Sequence, residues 1–179
     1  MGHTGTLRTQ MTRIYLAHGA SGNADSMLPH VRGLRGLGIE AETVQLPKGR
    51  AERAIASYMD SAPPAGDRII GGHSFGGRVA SLLAAEHGYA GLVLLSYPLH
   101  APGSPDRWAD RTSHWPRITC PVLLLSGESD PFARLDLLRA AVARLPNAEL
   151  VTYPRLGHTL RPVLDDVLDR VAAFVANLA

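Results

Sequence analysis

Ser74 stands in Gly72-His73-Ser74-Phe75-Gly76, directly after Arg68-Ile69-Ile70-Gly71 and ahead of a small and apolar helical repeat that Gly88 closes. A serine with glycines two residues to either side, between a strand and a helix, marks a very tight turn. Side chains at the two glycine positions would strike neighbouring backbone. The turn holds the hydroxyl clear of the sheet, at the positive end of the next helix. A serine hydroxyl is a weak nucleophile at neutral pH and needs a base beside it. An imidazole suits, because it can take the proton and return it to a leaving group. Of the eight histidines, His158 in Arg155-Leu156-Gly157-His158-Thr159 has the best address, a loop between the last strand and the last helix where Gly157 allows close backbone approach. His73 points to the opposite face of its strand and packs under the turn. A carboxylate must then orient the imidazole and stabilise its protonated form. Ser126-Gly127-Glu128-Ser129-Asp130-Pro131 offers two, and Asp130, just before a helix started by Pro131, is preferred to Glu128. Together these residues would perform nucleophilic acyl transfer.

The elements that must hold them alternate along the chain. Strands are expected at Arg13 to Ala17, Glu40 to Leu46, Arg68 to His73, Gly91 to Ser96, Pro121 to Ser126 and Glu149 to Tyr153. Helical patterns run from about Asp25 to Leu37, Ala51 to Asp60, from Ser74 to His87, Phe132 to Leu145 and Pro162 to Leu178. Strands of continuous Val, Ile and Leu separated by helices imply an α/β fold. The expected form is a doubly wound, mostly parallel six-stranded sheet with helices on both faces. Ligands in such sheets bind beyond the carboxyl ends of the strands. The turn at His18-Gly19, Ser74, the Tyr97 loop, Asp130 and His158 all follow strands, so one edge gathers them. The irregular stretch 97–117 is long for a compact domain and carries Tyr97, His100, Trp108, His114 and Trp115. Tyr97, His100 and Trp108 are candidate walls of a substrate pocket. Arg78, at the start of the helix after Ser74, either meets an anionic substrate or pairs with a surface acid.

The chain has 179 residues, 45% of them hydrophobic and 19% charged, which suits one domain with a two-sided core. Residues 1–11 are polar and aperiodic and read as a disordered lead-in; the domain is expected over residues 12–179. The formal charge is +2 and the basic residues form no run, which argues against nucleic acid as a partner. One cysteine, Cys120, excludes an intramolecular disulfide and a multi-cysteine metal site. It reads as a buried structural thiol. No signal-type apolar stretch and no run near 20 apolar residues is present, so no membrane association and a cytoplasmic location are expected. Gly-x-x-x-x-Gly-Lys-Ser/Thr is lacking, which weighs against nucleotide binding at the Gly71-to-Gly77 turn.

Ser74 in its glycine-flanked turn, Gly127-Glu128-Ser129-Asp130, Gly157-His158 and the early His18-Gly19 together resemble an α/β-hydrolase, whose chain order is Ser, then Asp, then His. The likeness runs from Arg13 onward. Gly76 to Ser81, Leu95 to His100 and Gly127 to Phe132 are more narrowly similar to small hydrolases grouped near the dienelactone hydrolases. True dienelactone hydrolases carry a cysteine where this chain has Ser74, so their substrate does not transfer. The resemblance implies a minimal form of the fold, without the first two strands or a cap domain, and an open site. It implies an oxyanion hole from the amide of Phe75 and a second amide in the turn after the first strand, Ala20 or else Gly19, with Ala20 favoured. His18 is expected to brace that turn. The implied activity is hydrolysis of a small carboxylic ester or thioester through an acyl-serine, with no metal and no cofactor. An acceptor other than water would use the same residues. The group also includes a hydrolase-like module of a chromatin-associated complex, so the alternative is a catalytically silent interaction module.

Overall fold

A computed structural model describes residues 12–178, and the lead-in expected at residues 1–11 lies outside the described residues. Six strands form one sheet: β1 (Arg13–Ala17), β2 (Glu40–Val44), β3 (Arg68–His73), β4 (Gly91–Leu95), β5 (Val122–Gly127) and β6 (Ala148–Tyr153). All pairs are parallel, in the order β2-β1-β3-β4-β5-β6. The helices are α1 (Leu28–Gly36), α2 (Ala51–Ser61), α3 (Phe75–Glu86), the single turn α4 (Trp108–Arg111), α5 (Leu135–Val142) and α6 (Leu164–Ala176).

The period-two alternation of the strands builds two cores. Tyr15 and Ala17 of β1, Leu92 and Leu94 of β4, and Val122 and Leu124 of β5 join residues of α2, α3 and α5 on one face. Ile14 and Leu16, Val93 and Leu95, and Leu123 and Leu125 join residues of α1 and α6 on the other. Central strands buried on both faces have no polar positions to spare, which is why they read as continuous apolar runs. Tyr58 of α2 is fully buried and reaches the central strands: its hydroxyl lies 2.8 Å from the Tyr15 carbonyl and accepts the Gly71 amide at 2.9 Å. Cys120 is buried as expected, and burial pushes its thiol up to about 11.

Helix ends depart from the expected ranges for local reasons. The stretch from Asp25 begins as a tight turn at 24–27, and α1 starts with Pro29 in its first turn, where the missing N–H costs nothing. Asp130 bonds the amides of Phe132 and Ala133 with its side chain and carbonyl, so α5 begins only at Leu135. The sheet order reverses at β1, which is flanked by β2 and β3. The crevice beyond the ends of β1 and β3 is therefore the switch point at which open α/β sheets bind ligands.

Candidate active site

Ser74 sits in that crevice. Its backbone has φ 50° and ψ −113°, a conformation that L residues rarely adopt. The neighbouring glycines explain how the chain accepts it. A Cβ on Gly72 would run into the Ala17 carbonyl, and one on Gly76 into the carbonyls of Ala17 and His18. Elbow and β1 therefore touch backbone to backbone. The strain is stored where the hydroxyl must project, at the N-cap of α3.

Three loops converge on the hydroxyl. The Ser74 O–H donates to His158 Nε2 at 2.8 Å, and His158 Nδ1–H donates to Asp130 Oδ2 at 2.8 Å. Asp130 is shielded from solvent and accepts the Phe132 amide on its other oxygen at 2.8 Å. With that acceptor facing Nδ1, the imidazole carries its proton there and leaves Nε2 free. Phe132 and His73 pack on the His158 ring, with centroids 4.5 Å and 5.1 Å away. Glu128, the other acid of the turn, accepts a hydrogen bond from the Thr152 hydroxyl at 2.8 Å and is thereby tied to β6.

The close approach that brings the acid and histidine loops together occurs at Gly127. A Cβ there would overlap the carbonyls of Leu156 and Gly157. At Gly157, where the sequence reading placed the close contact, a Cβ would meet only the Ser129 carbonyl at 3.9 Å. The Ser129 amide donates to the Leu156 carbonyl at 2.9 Å, and Arg155, at φ 61°, turns the chain back.

Both neighbouring histidines are braces. His18 is buried; its Nε2 accepts the Leu46 amide at 3.0 Å, so Nδ1–H donates to the Gly19 carbonyl at 2.7 Å. His73 donates from Nε2 to the His158 carbonyl at 3.0 Å, and burial holds it below its ordinary pKa. This link between the elbow strand and the His158 loop was missed in the sequence, because nothing along the chain shows which loop folds beneath the turn.

The amides of Phe75 and Ala20 donate to no protein acceptor among the described residues, and both residues line a cleft of about 970 Å³ together with Ser74 and Phe132. Stretch 97–117 does form a wall of it, through Pro98, Ala101, Ser104 and Arg111. Tyr97, His100 and Trp108 are not among the lining residues. Tyr97 is buried edge-on against Trp115. His100 accepts the Arg134 amide on Nε2 at 3.0 Å, and Trp108 packs toward the core beside Arg144. Opposite that wall, Arg78 pairs with Glu52 at 3.2 Å, and both line the cleft. Among the described residues no group of three or more His, Cys, Asp or Glu could hold a metal ion, and no helix is long and apolar enough to cross a membrane.

Residues 43–175, which include Ser74, Asp130 and His158, match the family model described as an alpha/beta hydrolase domain. The chain belongs to this family. No curated protein matches it in sequence. Among solved structures it is similar to a monoacylglycerol lipase of Paleococcus ferrophilus, with TM-score 0.77 and 14% identity over 93% of this chain and 95% of that one. It is also similar to Est1E of Butyrivibrio proteoclasticus with bound ferulic acid (TM-score 0.75, 18% identity, 96% and 91% covered). A pyrethroid hydrolase of Sphingobium faniae matches with TM-score 0.70 and 17% identity over 93% and 98%. At these identities the likeness is one of fold.

Proposed function

We propose that this chain is a serine hydrolase that cleaves a small carboxylic ester or thioester. The observation that carries the reading is the hydrogen-bonded chain from Ser74 through His158 to Asp130, with 2.8 Å at each link. Ser74 Oγ attacks the carbonyl carbon as its proton passes to His158 Nε2. The negative charge on the former carbonyl oxygen is met by the N–H groups of Phe75 and Ala20. Collapse breaks the bond to the alcohol or thiol, which leaves with the proton from His158 and makes an acyl-Ser74 ester. Water, deprotonated by His158, then attacks that ester, and the acid departs as Ser74 recovers its proton. Asp130 stabilises the imidazolium formed in both halves. The fold is shared with proteins named as lipase, esterase and hydrolase, which supports this class of reaction. Ser74 in place of a cysteine separates the chain from true dienelactone hydrolases within the proposed subgroup.

The cleft lies open between α2 and stretch 97–117, so short soluble acyl chains, roughly two to six carbons, are the expected substrates. Each further methylene adds about 0.8 kcal/mol only where a wall exists to bury it. Incubation with a fluorophosphonate, followed by mass spectrometry, should show one adduct on Ser74, and p-nitrophenyl acetate should be turned over. Absence of both would refute the proposal and favour a non-catalytic interaction module.

A further inference from the structure

The cleft around Ser74 is lined by five arginines: Arg50 and Arg53 at the start of α2, Arg78 on α3, and Arg107 and Arg111 on the facing wall. Two acids line it, Glu52 and Asp110. Each already has a partner, Glu52 with Arg78 at 3.2 Å and Asp110 with Arg107 at 2.7 Å. Arg50, Arg53 and Arg111 have no carboxylate within ion-pair distance among the described residues. The lining thus carries three more positive than negative charges. The whole chain carries a formal charge of only +2, so the rest of it is on balance negative and the excess is local to the cleft.

Two of these cations are placed to touch a ligand. Arg78 lies one helical turn beyond Ser74, its amide donating to the Ser74 carbonyl at 3.0 Å, and its side chain is 23% exposed. Arg111, also half-buried, donates from Nη1 to the Pro98 carbonyl at 3.1 Å, which leaves most of its guanidinium N–H groups for another acceptor. Burial and the charge of Arg78 both hold Arg111 below its ordinary pKa, so the two guanidiniums repel each other although Glu52 is paired with Arg78. Repulsion of this kind is relieved by an anion between them, and screening by water is weakest at these half-buried positions.

We propose that the ester or thioester cleaved at Ser74 carries an anionic group, a carboxylate or a phosphate, that Arg78 and Arg111 bind. Arg50 and Arg53, at the exposed rim, draw it in from solvent. The planar guanidinium offers paired N–H groups that match either anion. This inference rests on the reading of Ser74 as the nucleophile.

Two matched pairs of substrates test it. Mono-p-nitrophenyl glutarate against p-nitrophenyl pentanoate places the charge on the acyl side. Acetyl-coenzyme A against S-acetyl-N-acetylcysteamine places phosphate on the leaving side. For at least one pair, kcat/KM should favour the charged member by about tenfold or more, the scale of one charge-assisted hydrogen bond. That preference should shrink as sodium chloride rises from about 20 to about 500 mM, while the neutral member changes little. Arg111→Gln should lower the ratio of charged to neutral turnover. Arg78→Gln should do the same, and because it also strips Glu52 of its partner, the salt series and Arg111→Gln carry the test if that variant fails to fold. Equal or better turnover of the neutral member in both pairs overturns the anion proposal and leaves the nucleophile standing. Labelling of Ser74 by a fluorophosphonate without turnover of either charged substrate does the same. No labelling and no turnover of any of the four overturns the reading of Ser74 itself.

Discussion

Asp130→Asn separates the chemistry of the carboxylate from its shape. The Asp130 side chain receives two donors, the Phe132 amide on Oδ1 and His158 Nδ1–H on Oδ2, each at 2.8 Å. An asparagine offers one acceptor oxygen and one NH2 group. If its oxygen serves Phe132, the NH2 faces His158 Nδ1, which must then be unprotonated. The imidazole proton moves to Nε2, the atom that accepts the proton of Ser74 in the proposed mechanism. If the oxygen serves His158, the NH2 opposes the Phe132 amide, donor against donor, where the Asp130 side chain has no exposure to water. Leaving such a group unpaired costs about 1–3 kcal/mol, so the inactive tautomer is favoured roughly 5- to 150-fold. Loss of the charge that stabilises the imidazolium adds to this, for a fall in kcat/KM of roughly 10³ to 10⁴. Initial rates with p-nitrophenyl acetate measure it, and circular dichroism should show an unchanged fold. Glu128→Gln, at an acid held by Thr152, should stay close to wild type. If Asp130→Asn keeps more than about a tenth of the activity, or Glu128→Gln is the more damaging change, Asp130 does not orient the base.

Ser74→Ala should abolish labelling and turnover with the fold intact, and Ser74→Gly should also raise the urea midpoint, by about 1 kcal/mol of stability, because it relieves the backbone strain at φ 50°. Gly127→Ala should cut kcat by about 10²-fold or more by displacing the His158 loop, whereas Gly157→Ala, whose Cβ meets only an atom 3.9 Å away, should be mild. Stability should decline as pH falls from about 6.5 toward 4, because burial holds His114 and His30 down to about 4 while the unfolded chain takes up protons nearer 6.5. Both groups stabilise the fold fully above that window and lose the contribution as pH drops through it. Chemical denaturation at pH 7 and pH 5 should show the difference, and His114→Gln should reduce it.

The strands were legible because burial on both faces leaves an unbroken apolar run, and strand ends in turn gave Ser74, Asp130 and His158 their addresses. Parallel order brings those ends to one edge, so no long-range contact had to be guessed. The helix starts at Leu28 and Leu135 were less legible, since each hangs on a proline or on a side-chain bond that shortens the helix from its N-terminal side. Strand alternation implies that His73 packs under the turn at Ser74, but spacing alone does not imply its bond to the His158 carbonyl. Stretch 97–117 was the least legible part. Its ring-bearing residues Tyr97, His100 and Trp108 were the candidates to line the cleft and its arginines were not, yet the structure places Arg107 and Arg111 there instead, and burial explains the exchange. A buried aromatic side chain removes a large apolar area from water, and a guanidinium does not. Trp115 and Tyr97 therefore fill the core, and Arg107 and Arg111 are left at the cleft.

The inward residues of that stretch are still tied to the site, at one remove. The Tyr97 hydroxyl donates to the Arg111 carbonyl at 3.2 Å, and the Thr112 hydroxyl donates to the Trp108 carbonyl at 3.0 Å while accepting Arg144 Nη1 at 3.1 Å. Backbone and side chain of His100 bond the Phe132 carbonyl and the Arg134 amide, both at 3.0 Å. Phe132 in turn donates its amide to Asp130 and packs on the His158 ring. The wall that presents Arg111 and the turn that presents Asp130 are thus joined by hydrogen bonds in one piece. A minimal sheet with few long loops cannot hold an arginine in place by packing on every side. Fixing the backbone beneath it, through rings that lie outside the cleft lining, achieves the same placement with fewer residues.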